Sequence, residues 1–593
     1  MAERRPYWLW GAAALLALFV VGALISPILA PGPDGSGDGT PTLAAPPNAI
    51  SISIVSSNTK QTWLHQAVDA FNAASQSEAK LQLDGKPIFV VILQEEIDGK
   101  KVDYRSGTMV SDTVSRKIEP TVLSPGEESW ILKFEKEWQA AQGTDPVKSG
   151  DIPVLVRTPL VVAMWESRAK ALGCWPTPGP DCTWTTLRSL ATSPNGWGAY
   201  GNPQWRKFKF GYGYFGESNS GTLGVISMCM TALGRTEGLT IGDVEPTNAC
   251  GTFVNDVEKA KVHSGKSDIW LLEKMVTGGP EYLDAVITYE SNVIATNRSS
   301  ADSMREPLVA TYPQDGTIVV GHPFAILDGT PWVSADQARA ALVFRDFLLS
   351  RSQQEAVLSL GLRPADTSVT LGSPIEPAYG ANPQARLVAL QVPATLVIDR
   401  IGEVWHQVKK HAVIAIVFDK SGSMSGGKIT AAVKGAQEFV NRMDGQDWLL
   451  WLPFDDGIYP GASGLKSEVG ERLVQQIAST SADGGTSLYD AILYAYDELQ
   501  EMRQASGDTV RYGIVVLSDG QDTSSTRTLT ILEAALQPSE KDPTGIQIHT
   551  IAIGDDADEQ VLKKIAAAAH GRYWKTQDEK QVVAVYRDIA AHY

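Results

Sequence analysis

Apolar and polar positions along this chain fall into two periods, and their order predicts the architecture. Ile50-Ser-Ile-Ser-Ile-Val55 alternates with period two and predicts a strand. The polar turn Ser56–Lys60 follows, and then Trp63–Ala74 repeats its apolar positions at helical spacing. Further on, a run rich in glycine and hydroxyls from Phe210 to Gly224 leads into an apolar helix, Val225–Leu233. The apolar segment Ala285–Tyr289 comes next, then His322-Pro-Phe-Ala-Ile-Leu-Asp328, the helix Ala335–Leu349 and the turn Gly361–Pro364. A bridging helix over Ala394–Lys409 carries Leu396, Val397, Ile401, Val404, Trp405 and Val408 on one face.

From His411 the alternation becomes regular. Strands are predicted at Val413–Phe418, Trp448–Phe454, Tyr512–Leu517, Ile546–Ile553 and Tyr573–Lys575. Helices are predicted between and after them, at Lys428–Met443, Arg472–Ser479, Ser487–Arg503, Leu529–Leu536, Asp558–Ala569 and Gln581–Ala591. This order describes a doubly wound, largely parallel sheet, which binds ligands at the carboxyl ends of its strands.

The N-terminus has a different pattern. After Arg4 and Arg5 no charge intervenes before Asp34, and Trp8–Ala30 is almost wholly apolar. That length suffices to cross a bilayer, and the flanking arginines favour a cytoplasmic start with the remainder exported. The run exceeds a typical signal core, and Ile28-Leu29-Ala30 is a poor cleavage site, so a retained anchor is expected. Residues 31–48 contain five prolines and four glycines and predict a tether. Four cysteines fit export: Cys174 with Cys182 and Cys229 with Cys250 is the simplest of three pairings. The expected organisation is a membrane anchor at 1–30, a linker at 31–48, an α/β domain at 49–393, a connecting helix at 394–410 and a second α/β domain at 411–593.

Three segments of that last domain reach one edge of the predicted sheet. They are Asp419-Lys-Ser421-Gly-Ser423 after the first strand, Asp483-Gly-Gly-Thr486 before a helix, and Ser518-Asp519-Gly520 after a later strand. Two carboxylates and three hydroxyls, with no Cys or His, make an all-oxygen set suited to a hard divalent ion such as Mg²⁺. The pattern DxSxS…T…D resembles the metal-ion-dependent adhesion site of the von Willebrand factor A domain. The resemblance implies Ser421, Ser423 and Thr486 as direct or near-direct ligands, with Asp419 and Asp519 acting mostly through water. It also implies an open metal position that takes an Asp or Glu carboxylate from a protein partner. Gly422–Lys428 matches the opening of a phosphate loop, but Ile429 stands where that motif needs a hydroxyl for magnesium.

The segments of 49–393, taken in order, resemble the extracellular solute-binding proteins of the type II periplasmic-binding fold, two α/β lobes that close on a ligand. That resemblance implies a cleft lined by the Ser57–Thr59 turn, the Ser218-Asn-Ser220-Gly221 loop and the Tyr289-Glu290-Ser291-Asn292 segment, holding a small solute or peptide. The hydroxyl-bearing loops favour an oxyanion, whereas Glu290, where it faces the cleft, repels one.

Charge narrows the function classes. The chain carries 51 Lys and Arg against 68 Asp and Glu, a net charge of -17, and residues 411–593 alone hold 16 basic against 26 acidic residues. A surplus of acid excludes nucleic acid as a partner bound through its phosphates. The chain contains no HExxH and no clear GxSxG elbow. The adjacent acids Glu127-Glu128 and Asp455-Asp456 are expected to be solvated, not paired for catalysis. The expectation is a non-enzymatic, membrane-anchored, extracytoplasmic binding protein. Its alternative is the receptor component of an ABC-type importer with the A domain as a docking accessory.

Overall fold

The computed structural model describes residues 45–590 apart from 98, 99, 149, 151, 217, 266, 507–509, 520, 541–544 and 556. The expected anchor and most of the tether lie outside these residues. Among the described residues no helix is long and apolar enough to cross a membrane.

Two sheets build the first α/β region. In one, Ile50–Ser56 lies between Lys86–Ile97 and Val122–Ser124, parallel to both. The helix Gln61–Ser75 covers this sheet with Trp63, Leu64, Ala67, Val68 and Phe71, and Ala335–Leu348 packs beside it through Ala340, Ala341 and Phe344. In the other, the long strand Val154–Trp165 pairs antiparallel with Ala285–Tyr289, followed in order by Phe210–Gly213 and Lys261–Gly265. The second sheet holds the larger core, which includes both disulfides, Cys174–Cys182 and Cys229–Cys250. The chain passes between the sheets near Pro153 and again at Pro323–Ala325, where the amide of Phe324 donates to Pro153 O at 3.0 Å.

The helix over Asn219–Ala232 starts six residues before the apolar run that the sequence marks. Ser218 caps it, accepting the Gly221 amide at 3.3 Å, so the glycines belong to the helix and not to a loop before it. Gly221 is required there for a packing reason: a Cβ would strike the backbone of Gly213.

The C-terminal domain is a sheet of six strands among the described residues. Their order is Ser463–Leu465, Trp448–Phe454, Ala412–Asp419, Arg511–Ser518, Gln547–Ile553 and Tyr573–Thr576. The pairs from Trp448–Phe454 through Tyr573–Thr576 are parallel, and Ser463–Leu465 is an antiparallel edge. Ala412–Asp419 is buried at all eight positions, as a strand covered on both faces must be. One face packs on the helices Gly427–Arg442 and Glu579–Ala590, the other on Leu488–Ser506 and Glu559–Ala568. The helix marked near Arg472–Ser479 begins earlier, at Lys466, with Val469, Leu473 and Ile477 buried.

The helix Thr395–Val408 buries Val397, Ile401, Val404 and Trp405 in the core of the second sheet. From its end the chain enters the C-terminal domain, and the two regions meet through the start of that domain's strands. Arg511 donates to Ser264 Oγ and to Lys410 O, each at 3.2 Å. Gln547 lies 3.3 Å from His263, and Arg572 stacks 4.1 Å over Trp270. Beneath this junction Glu258 is buried against Lys261, Tyr212 and Trp405. Burial alone would raise its pKa, but the Lys261 ammonium beside it brings the carboxyl down to about 2.

Candidate functional site

At the opposite, carboxyl edge of the C-terminal sheet the five oxygen-bearing residues occupy neighbouring loops. Asp419 ends its strand fully buried; its Oδ1 accepts the Ser421 amide at 2.8 Å and its Oδ2 the Ser518 hydroxyl at 2.5 Å. Ser421 Oγ lies 3.1 Å from Ser423 Oγ, which donates to Asp519 Oδ1 at 2.7 Å. Asp519, also fully buried, accepts the Lys428 ammonium on Oδ2 at 2.6 Å. The side chain that completes a phosphate-loop pattern in the sequence is thus spent on a carboxylate.

Thr486 reaches this edge by backbone pairing. The Asp483 amide donates to Lys420 O at 2.8 Å and the Gly422 amide to Gly484 O at 2.9 Å, which clasps the two loops together. Thr486 is itself held by Thr523, whose Oγ1 accepts its amide and whose amide donates to its carbonyl, both at 2.9 Å. Ser518, Lys428 and Thr523 are contributors that the motif does not reveal, since each acts on a motif residue and not on the edge itself.

Burial raises the Asp419 pKa and the Asp519 charge adds to it, against the hydrogen bonds from Ser421 and Ser518. A divalent cation relieves that repulsion, and two carboxylates with three hydroxyls suit a hard ion that keeps several waters. Among the described residues no group of three or more His, Cys, Asp or Glu gathers as metal ligands; the donors at this edge are largely hydroxyls. The neighbouring Asp455 is buried in an ion pair with Lys420 and not solvated.

A second candidate lies between the two N-terminal sheets. A polar cavity of about 40 Å³ is lined by Ser57, Asn58, Thr59, Arg105, Ser106, Gly126, Ser218, Asn219, Ser220, Ser267, Asp268 and Tyr289. The lobes touch across it, where the Trp130 indole donates to Asn219 Oδ1 at 2.8 Å and Asn219 Nδ2 to the Tyr289 hydroxyl at 2.8 Å. Ser57, Thr59, Ser218, Ser220 and Tyr289 are thereby brought together, and Gly221 sits one residue behind the wall. Glu290 is not among the lining residues. It is fully buried, bound by the Arg363 guanidinium at 2.8 Å on both oxygens and by the Tyr312 hydroxyl at 2.5 Å. Glu127 is buried as well, its carboxylate accepting the Ser129 amide at 2.7 Å, and burial raises its pKa. Arg105, Ser106, Ser267 and Asp268 are wall residues with no signal in the sequence, because each merely precedes or opens a helix.

Residues 414–588 match the family model of the von Willebrand factor type A domain, and this segment of the chain is such a domain. Among curated proteins, an uncharacterized protein of Synechocystis sp. is 23% identical over 176 residues, which is 30% of this chain and 40% of that protein. A solved von Willebrand factor type A protein from Catenulispora acidiphila is 21% identical with a TM-score of 0.27, covering 31% of this chain and 42% of the other. The chain therefore spans less than half the length of either relative. A periplasmic thiamin binding protein is 10% identical with a TM-score of 0.41, over 61% of this chain and 96% of its own.

Proposed function

We propose that this is a membrane-anchored, extracytoplasmic binding protein without catalytic activity. The cleft between its first two sheets captures a small polar solute, and the A domain engages a protein partner through a divalent cation, Mg²⁺ by donor type. The observation that carries this reading is the run of oxygens Asp419–Ser421–Ser423–Asp519 at the carboxyl edge, with Thr486 clasped beside them. Asp419 and Asp519 would hold the ion's shell by hydrogen bonds, and Ser421, Ser423 and Thr486 would face it directly. When bound, the ion supplies a Lewis-acid site for a partner's Asp or Glu carboxylate. Both disulfides support an oxidising, extracytoplasmic location.

The test has two arms. Calorimetry of the full-length protein with Mg²⁺ and Mn²⁺ is expected to show one site that Asp419→Ala removes. Selection from a displayed peptide library in Mg²⁺ is expected to enrich sequences with Asp or Glu, released by EDTA. Metal binding unchanged in Asp419→Ala, or selected peptides indifferent to EDTA, refutes the adhesion reading.

A further inference from the structure

Under the floor of the interlobe cleft lies a buried charge with no counter-charge in contact. Lys60 is 1% exposed and lies where the chain crosses between the lobes. Its ammonium donates to Ser124 O at 2.8 Å and reaches Ser57 Oγ at 3.3 Å and His322 Nδ1 at 3.4 Å, all neutral partners. Among the described residues no carboxylate comes within ion-pair distance of it. A buried ammonium in such surroundings carries a large desolvation penalty, which a negative charge nearby offsets.

Ser57, whose Oγ the ammonium reaches at 3.3 Å, also lines the cavity wall and so joins the two. Arg105, on the same lobe as Ser57, lines the same cavity; Glu95, 3.9 Å away, is its ion-pair partner. The remaining wall is hydroxyls and amides. Its one acid, Asp268, already accepts the Thr288 hydroxyl at 2.7 Å and the Asn292 amide at 3.1 Å within the protein. Glu290, the acid most able to repel an anion by its place in the sequence, is neutralised elsewhere by Arg363. A cavity of about 40 Å³ holds on the order of three waters, the scale of one tetrahedral ion and not of a sugar ring.

We propose that the cleft takes a small oxyanion, free or as the terminal group of a larger solute, its charge met by Arg105 on the wall and by Lys60 beneath Ser57. This rests on the solute-capture reading above and specifies its ligand. A consequence is that binding is linked to a proton. Burial lowers the Lys60 pKa to about 7, so the empty cleft holds this group part-neutral near neutrality, and an anion draws the proton back. Two ionisable groups act on Lys60 directly, and neither titrates in that window. His322 is held neutral by burial, and Asp103 is kept ionised by its hydrogen bonds from His65 and Gln94 and by the Lys60 charge. His65, whose pKa is raised by its hydrogen bond to Asp103, is the neighbouring group that titrates in the same range; a slope due to it would survive in Lys60→Met.

Sulfate separates these effects, because its charge is constant from acid to mildly basic pH. Titration calorimetry of the full-length protein is expected to show sulfate binding that weakens about tenfold between about pH 6 and pH 8, with proton uptake at the upper end. Lys60→Met, which fills the same buried space, is expected to bind weakly with no pH slope. Arg105→Gln is expected to weaken binding at every pH and keep the slope. Inorganic phosphate against a sugar phosphate tells a free ion from a terminal group; the small cavity favours the free ion. Binding of a neutral sugar or a cation with no response to any oxyanion overturns this inference and leaves solute capture standing. No stabilisation by any solute class overturns both, and a slope retained in Lys60→Met removes the role of Lys60.

Discussion

Acidification tests the packing of the A domain at one residue. His549 lies within the strand Gln547–Ile553, fully buried, with Nδ1 accepting the Arg572 amide at 3.1 Å and its ring against Trp574. Burial, and then the Arg572 charge, lower its pKa from 6.5 to about 3. In the unfolded chain the ring takes a proton below about pH 6.5, whereas in the folded domain it stays neutral until about pH 3. Its contribution is therefore complete above the unfolded pKa and is lost as pH falls between these values. Integrated from pH 7 to pH 5, that loss is about 2 kcal/mol. Buried acids such as Asp268 and Asp284, whose pKa values are raised by burial, act in the opposite sense and mask it in the intact protein. The informative quantity is therefore a difference. His549→Asn puts a neutral acceptor near the place of Nδ1 and does not titrate. Urea unfolding followed by tryptophan fluorescence is expected to show the variant less stable at pH 7, with the gap to wild type closing by about 2 kcal/mol at pH 5. A gap that stays constant across this range means that the imidazole is not held neutral, and the argument from burial fails.

Other expectations follow from single contacts. Asp519→Asn should weaken Mg²⁺ binding at least tenfold by calorimetry, since it removes one of the two carboxylates at the edge and the charge that pairs with Lys428. Glu258→Ala leaves Lys261 buried without its partner and should cost about 3–5 kcal/mol, read as a lower melting temperature of the lobe that carries the A domain. Replacing Cys229 and Cys250 by alanine opens a loop with a sequence separation of 21 and should cost about 3 kcal/mol in urea titration under oxidising conditions. Gly221→Ala should lower the melting temperature by several degrees, since the added methyl meets the Gly213 backbone.

The A domain was legible because its signals are local. Uninterrupted apolar runs mark fully buried parallel strands, and the oxygen donors follow strand ends, so position in the motif and position in space coincide. Asp419, Ser421 and Ser423 needed only one turn of chain. The cleft was legible in outline alone. Ser57, Ser218 and Tyr289 stand beside glycines or hydroxyls that flag a loop, but Arg105 and Asp268 open helices like many other residues. Lys60 reads as a solvated turn lysine, and its burial is decided by Ser124 and His322, 64 and 262 residues away in sequence. Glu290 reads as a wall residue because Tyr289 is one; the helix beginning at Glu290 turns its carboxylate toward Arg363, 73 residues on. Helix starts were misplaced where glycines, as in Asn219–Ala232, serve close packing and not a turn.

The A domain is fastened to the second lobe by the starting ends of its strands, at Arg511, Gln547 and Arg572. Its oxygen-lined edge therefore faces the far side, beyond a strand of eight residues, or about 25 Å of sheet. The helix Asp268–Tyr282 touches both regions, with Asp268 on the cleft wall and Trp270 under Arg572. The second lobe and the A domain are thus packed as one body through these contacts, so any rotation of that lobe would carry the oxygen-lined edge with it, displaced further than the cleft wall itself.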